Sequence, residues 1–413
     1  MTVEDVRVNR ERLWESHMEM AKIGATPKGG VARLALTDLD RQARDLFISW
    51  CRDAGCEIRV DRVGNIFASR AGLDADRPPV MTGSHLDTQP LGGKFDGIYG
   101  VLAGLEIVRT LNEKRIDTVA PLEVVVWTDE EGARFGGGTV GSGAFADLYD
   151  VETGLARKDI DGVTVGEALK AIGYAGDAPV GGYPVEAFFE AHIEQGPILE
   201  RDSIPVGVVM GAQGARYFTV TVDGEEGHAG TLPMDLRKDA MVGAARMIDA
   251  LNGVAYEHDP KPVITVGQVK VRPNSRNTIP GQVIFSIDSR HPDDGTLDTV
   301  EKQMRAVCAE IASNLGLSVT VEKISERTSI AFDPDCVAAV ANAANALNLD
   351  WEEIYSGAGH DACNMALIAP TGMIFVPCKD GISHNELESA RPEHLAAGCD
   401  VLLQVMVERA GIA

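Results

Sequence analysis

The sequence predicts an α/β fold, a domain built on a mostly parallel central sheet and interrupted by a ferredoxin-like α+β module. Three observations carry this. From Pro78 to Met210, continuous apolar runs bounded by polar segments alternate with helix-period stretches, the rhythm of strands buried on both faces by helices. From Tyr217 to Val321 the order becomes strand, helix, strand, strand, helix, strand. Near Asp333 the first rhythm resumes. Residues 1–211 and 329–413 are therefore expected to form one domain, and 212–328 an insertion.

In chain order, Val6 to Ala21 and Asp38 to Ala54 carry apolar residues at helical spacing. Glu57–Val60 and Gly64–Ala68 then read as a hairpin. Pro78-Pro-Val-Met81 leads into the segment Gly83-Ser-His-Leu-Asp-Thr-Gln-Pro90, and Tyr99 to Leu111 is a helix docking on a sheet. Pro121 to Trp127 and Val206 to Met210 are buried strands. Within the insertion, Tyr217–Val222 alternates as a half-exposed strand and Pro233–Leu251 is an amphipathic helix. Val263–Val271 and Gln282–Ile287 are strands, Leu297–Leu315 a helix and Leu317–Val321 a strand. The chain closes with a helix over Ala338–Leu347, a strand over Gly372–Val376 and a helix over Pro392–Val407.

At 413 residues with 45% hydrophobic composition, the chain exceeds what one core usually supports. A formal charge of −24, with no Lys/Arg cluster, argues against nucleic acid or an anionic membrane as a partner. An anionic small substrate would need a local cation. Seven cysteines, odd in number and without a C-x-x-C pair, point to neither a disulfide framework nor a zinc ribbon. A reducing cytoplasm fits that usage. The stretch from Met1 to Trp14 mixes both charge signs without an apolar run, so no export or anchoring signal is read there.

Chemistry is sought first around His85, Asp87 and Asp96, which one short segment places together at an apparent strand end, where open α/β sheets collect ligands. Imidazole and carboxylate suit Zn²⁺, Co²⁺, Ni²⁺ or Mn²⁺. A strand-end histidine braced by a carboxylate is the plain alternative. Asp129-Glu130-Glu131 follows a second buried strand, and three carboxylates there repel one another unless cations or solvent absorb the charge. A solvated loop is one reading; a ligand plus a base is the other, favoured by the neighbouring strand end. His192 and His384 are each, taken singly, structural histidines as readily as ligands. Together, ligand-type residues at separate strand ends would meet in one cleft at a sheet edge.

Gly136-Gly-Gly-Thr-Val-Gly141 matches G-x-G-x-x-G but follows an acidic loop rather than a strand, so a dinucleotide site is set aside. No Lys-Ser or Lys-Thr follows the glycines of the Gly92–Gly97 loop, so a P-loop is excluded. In the insertion, Arg290 ends a strand pattern and could fork a carboxylate or simply be solvated. His228 lies in a Gly-flanked turn.

The segments GSHLDTQP, GGKFDGIYGVLAG, TDEEGARF, EAHIEQGP, GHAGTLPMDLRKDA, NTIPG, SGAGHDA and GISHNE resemble, in order, the family of N-carbamoyl-L-amino acid hydrolases, β-ureidopropionases and allantoate amidohydrolases. That family belongs to the clan of dinuclear metallo-aminopeptidases and aminoacylases. The resemblance implies a metallo-aminopeptidase-like catalytic domain with two divalent ions, Zn²⁺ as isolated or Mn²⁺, Co²⁺ or Ni²⁺. It implies that His85 and His192 ligate one ion and Glu131 and His384 the other, with Asp96 bridging. Asp87 would steady the ring of His85, and Glu130 would be the general base. Gln195, His228, Asn277 and Arg290 would contact substrate and Gly359 and His360 would line the pocket, His228 arriving from the partner of a homodimer built through the insertion. The insertion would also act as a lid, closing to complete the site. Asp129, Leu232 and Lys238 stand where the family often has Asn, Thr and Arg.

The activity this implies is hydrolysis of the carbamoyl C–N bond of an N-carbamoyl α- or β-amino acid to amino acid, CO2 and ammonia. The same machinery on allantoate, an acylated amino acid or a peptide is the first alternative, and a non-catalytic binding protein of the same fold the second.

Overall fold

A computed structural model describes residues 6–412; residues 1–5, part of the N-terminal stretch read above for an export signal, lie outside them. The chain forms two compact units: one ends its first segment at Gly211 and resumes at Ala331, and the other spans Ala212–Ile330.

The first unit is built on strands β1 (Glu57–Val60), β2 (Ile66–Arg70), β3 (Val80–His85), β4 (Leu122–Trp127), β5 (Ala187–Ile193) and β6 (Val206–Ala212), joined late in the chain by Thr371–Val376. The order is β1-β2-β4-β3-β5, then Thr371–Val376, then β6, with Trp351–Ser356 also on β6. The four central strands are parallel, while β1, β2 and β6 pair antiparallel at the flanks. Every residue of β3, β4, β5 and Thr371–Val376 is buried, as expected of strands covered on both faces.

The helices Arg10–Met20, Asp38–Asp53, Ile98–Lys114, Pro334–Ala346 and Pro392–Ala410 send their apolar residues into one core with Ala68, Val126, Phe189 and Val376. The alternate side chains Phe67 and Trp127 meet Phe145, and Phe188 meets Trp127, in an aromatic cluster on the opposite face.

Register puts the functional ends in line. His85 lies opposite Trp127, and Phe375 opposite His192. Between β3 and β5 the pairing Thr82 with Phe189, continued three residues, aligns His85 with His192. All four strands therefore present their carboxyl ends at one edge.

In the second unit the sheet runs Val269–Arg272, Gln282–His291, Gly214–Asp223, Ser318–Arg327, all antiparallel, with Val263–Thr265 also on Gln282–His291. The helices Ala240–Ala255 and Asp294–Asn314 pack on its alternating buried residues. This is the βαββαβ order.

Two expected elements are divided. The helix expected over Pro233–Leu251 is a short 3₁₀ turn at Met234–Leu236 followed by an α-helix from Ala240, because the Asp239 carboxylate caps Met241 and Val242 N–H. The strand expected over Val263–Val271 breaks where Gln268 N–H bonds to the Ser286 hydroxyl and Gln268 carbonyl accepts from Ser286 N–H.

Candidate metal centre

Asp96 is the centre of the cluster. It is buried, and its Oδ1 lies 3.2 Å from His192 Nε2 and 3.8 Å from His85 Nε2. Its Oδ2 lies 3.3 Å from His384 Nε2, which is also 3.3 Å from Glu131 Oε2. Two groups of ligand-type atoms, His85/Asp96/His192 and Asp96/Glu131/His384, each fall within 4.8 Å and share the one carboxylate.

The ring orientations are fixed from behind. His192 Nδ1 is 2.9 Å from the Ile193 carbonyl and His85 Nδ1 is 2.9 Å from the Asp87 carbonyl. A carbonyl can only accept, so each Nδ1 carries a proton and each ring turns Nε2 toward Asp96, the orientation a metal ligand needs once that nitrogen has no proton. Asp87 thus steadies His85 with its main chain, its carboxylate standing 3.9 Å away. That carboxylate accepts instead from the N–H groups of Glu130 and Glu131, at 3.4 and 3.3 Å, tying the acidic loop to the histidine loop.

Charge in the cluster is unbalanced. Burial, reinforced by Asp361, Glu131, Asp87 and Asp96, holds the Glu130 carboxyl well above the usual carboxylate range. Burial and then Asp96 push Glu131 up to about 8. Burial would raise Asp96 too, but hydrogen bonds from His192 and His384 hold it well below its usual range. His192 reaches about 9 because Asp96 outweighs burial, and His384 reaches about 9 chiefly through the same carboxylate. More acidic groups than cations, with imidazole Nε2 atoms aimed among them, form a donor set that fits divalent ions and in which a bound cation would replace the protons those groups now share.

The geometry adds residues that sequence reasoning missed. Glu388, buried, accepts from Phe95 N–H at 2.8 Å, Asp96 N–H at 3.1 Å and the Ser383 hydroxyl at 3.1 Å, and so holds the Asp96 loop from 292 residues away. Gln89 donates to Glu131 Oε2 at 2.7 Å. The glycine run set aside as a dinucleotide motif returns along the acidic loop, Thr139 N–H donating to the Glu130 carbonyl at 2.8 Å. A Cβ on Gly138 would stand 2.5 Å from that oxygen. Gly97 is required as well: its φ is +72°, its N–H faces His192 Nε2 at 3.1 Å, and a Cβ there would meet the His85 ring at 2.3 Å.

Gln195 donates to Asp96 Oδ2 at 2.9 Å, and its own Oε1 is buried without an acceptor role among the described residues. His360 is buried with its ring 4.6 Å from that of His192 and Nε2 2.8 Å from Ser356 Oγ, while Gly359 beside it is exposed.

The second unit holds the rest. His228 lies on a two-residue strand paired with Thr278–Ile279, and Asn277 adjoins it, its carbonyl accepting from Ala229 N–H at 3.0 Å. Arg290 pairs with Asp288 at 2.8 Å near the far end of Gln282–His291. Eight residue steps separate Gln282 from Arg290, about 27 Å at 3.4 Å per residue. His228, paired with Thr278, and Arg290 thus belong toward opposite ends of that strand.

Comparison with known proteins places the whole chain. The chain is 47% identical to an N-carbamoyl-L-amino-acid amidohydrolase of Rhizobium meliloti, covering 99% of this chain and 98% of that one. A second N-carbamoyl-L-amino acid amidohydrolase, from Geobacillus stearothermophilus, is 39% identical over 96% and 97% of the two chains. The crystal structure of an amidase of the hydantoinase/carbamoylase family from Burkholderia multivorans superposes with a TM-score of 0.95 at 55% identity, covering 98% of each chain. The profile of Peptidase family M20/M25/M40 aligns with residues 81–408, and the chain belongs to that family.

Proposed function

We propose that the protein is a metal-dependent amidohydrolase that cleaves the carbamoyl C–N bond of an N-carbamoyl amino acid, releasing the amino acid, CO2 and ammonia. The observation that carries this reading is the Asp96 carboxylate shared between two ligand-type groups, with the half-buried Glu130 carboxyl 3.5 Å from His85 Nε2.

His85 and His192 would hold one divalent ion and Glu131 and His384 the other, with Asp96 between them. Zn²⁺ suits these donors, and Mn²⁺, Co²⁺ and Ni²⁺ are compatible. Divalent ions held there supply Lewis acidity, which polarises a carbonyl and acidifies water. Glu130 accepts the proton of the attacking water and passes it to the departing nitrogen. Its raised affinity for a proton suits the second task, and neighbouring cationic charge brings it back toward the first. Asp87 keeps His85 and the Glu130 loop in register, and Gln195 helps to hold Asp96 Oδ2, on the side of His384. Asn277 and Arg290 bind the substrate carboxylate, and His228 of a partner subunit donates to the developing oxyanion. The separation of His228 from Arg290 along the insertion supports that division between two chains, and hence a homodimer. The cysteine usage supports a cytoplasmic location.

The test is chelator-sensitive ammonia release from N-carbamoyl-L-amino acids, N-carbamoyl-β-alanine and allantoate, each with Zn²⁺, Mn²⁺, Co²⁺ and Ni²⁺. Turnover of the N-carbamoyl substrates, lost with chelator and restored by metal, is the expected result. Activity on allantoate alone would move the protein to that branch, and ammonia release indifferent to chelator would overturn the metal reading.

A further inference from the structure

Away from the metal centre, the Asp38–Asp53 helix ends in a turn that brings two of the seven cysteines together. Gly55 has φ +82°, Gly55 N–H donates to the Arg52 carbonyl at 2.9 Å, and Cys56 N–H donates to the Cys51 carbonyl at 2.9 Å. These are the paired bonds of a Schellman motif, in which the side chains at the first and sixth positions pack on each other. Here those positions are Cys51, fully buried, and Cys56, 7% exposed.

A second, independent observation marks the spot as electropositive. Arg70 is nine-tenths buried beside the turn; its Nε donates to Asn112 Oδ1 at 2.9 Å and its Nη2 to the Ile116 carbonyl at 2.8 Å, with the exposed Asp117 carboxylate 3.8 Å from Nη2. Asn112 in turn donates to the Ala54 carbonyl at 2.7 Å, inside the turn. Arg70 Nη1 is buried with no acceptor among the described residues. A hydrogen bond from Cys51, with help from the Arg70 charge, draws the Cys56 thiol below its ordinary range, whereas burial keeps Cys51 protonated. Burial pushes Cys308, Cys336 and Cys378 the other way, to about 11, 12 and 12. A thiol near the surface, 7% exposed, beside a buried cation and hydrogen-bonded to a second thiol is the arrangement of a redox-sensitive pair.

We propose that Cys51 and Cys56 form an oxidative modification site, a reversible dithiol–disulfide pair in which Cys56 is the sulfur attacked first and Cys51 the resolving partner. The oxidant is a hydroperoxide. The Cys56 thiolate attacks its terminal oxygen, breaking the O–O bond to give a sulfenic acid and releasing hydroxide or alkoxide. The Cys51 sulfur then displaces the sulfenic oxygen, forming the S–S bond and releasing water. Two electrons pass from the two thiols to the peroxide, and a small dithiol returns them.

The experiment treats the full-length, metal-loaded protein with hydrogen peroxide, alkylates the remaining thiols and counts them by intact mass. Alkylatable thiols should fall from seven to five and return to seven with dithiothreitol. Trypsin cuts after Arg52, so peptides 45–52 and 53–59 should leave as one disulfide-linked species. Cys56→Ser should abolish that species and leave Cys51 unoxidised. Cys51→Ser should halt Cys56 at a sulfenic acid that dimedone traps. Seven thiols surviving the treatment, or a cross-link among other cysteines with this pair free, would overturn the proposal. A readout free of substitutions is the pH dependence of Cys56 alkylation in the wild type. A midpoint below the ordinary thiol value of about 8.5 supports the assignment, and one at or above it overturns the assignment.

Discussion

Replacing Gly97 with alanine tests whether His85 is a metal ligand and how its ring is held, and the effect can be worked from two separate quantities. The backbone at Gly97, φ 72° and ψ −49°, lies where L-residues are strained, which costs about 1–3 kcal/mol. The added methyl would sit 2.3 Å from His85 Cε1 and Nε2, against roughly 3.5 Å for a relaxed contact, so the ring must retreat by about 1.2 Å. A metal–imidazole bond of about 2.0–2.1 Å does not survive such a shift. Misplacement on that scale costs on the order of 100-fold in turnover. The companion variant is Gly173→Ala: its φ is +79°, but its Cβ meets nothing within 4 Å. It carries backbone strain without touching the site. Elemental analysis of gel-filtered protein, alongside kcat, should show Gly97→Ala with one metal equivalent lost and turnover down about 100-fold. Gly173→Ala should lose stability while keeping metal and kcat. A Gly97→Ala enzyme with full metal content and near-normal turnover would refute the reasoning, as would equal metal loss in both variants.

Glu130→Gln should retain its metal content while kcat falls at least ~100-fold, and an unchanged kcat would remove Glu130 as the base. Arg290→Ala should raise KM for substrates bearing a carboxylate by roughly 1.5–3 kcal/mol in binding while sparing an uncharged amide; equal losses on both would make Arg290 structural. His17 is buried, with Nδ1 2.8 Å from the Leu13 carbonyl, and burial lowers it to about 4. Because the folded chain disfavours its protonation, the associated stability is complete above the unfolded value of about 6.5 and drains as pH falls toward 4; at pH 5 the loss is about 2 kcal/mol. Urea titrations at pH 7 and pH 5 should show this loss in the wild type and not in His17→Leu, and matching acid losses would contradict it. If the insertion works as a lid, small-angle scattering should record compaction on adding a non-hydrolysable substrate analogue, and an unchanged radius of gyration would count against closure.

Three of the candidate positions were legible because they stand at the ends of apolar runs that read as buried strands. Val80–His85 ends on a histidine, Leu122–Trp127 stops two residues before Asp129 and Ala187–Ile193 has His192 next to last, and parallel pairing aligns those ends. The polar brackets were not legible. Glu388 reaches Phe95 and Asp96 across nearly the whole chain, and the Gly138–Thr139 backbone reaches Glu130 through hydrogen bonds that no side-chain pattern records. Asp87 meets the His85 ring through its carbonyl, with its carboxylate turned to the Glu130 and Glu131 N–H groups, a division that no residue type announces. Trp351–Ser356 was missed because its half-exposed WEEIYS lacks a clean alternation, and Asp361–Met365 because five residues are too few for a helical period.

The placement of Thr371–Val376 between β5 and β6 also bears on the birth of the molecule. Ile193, the last residue of β5, leaves the ribosome 178 residues before Thr371, roughly 10–35 s earlier at ordinary synthesis rates. Throughout that wait a fully buried strand has a bare edge, open to aggregation or to capture by a chaperone. The insertion, with its own core and all its strands contiguous in sequence, can finish folding first. A stalled or prematurely terminated chain would therefore contain a mature insertion beside an unfinished sheet, without His384.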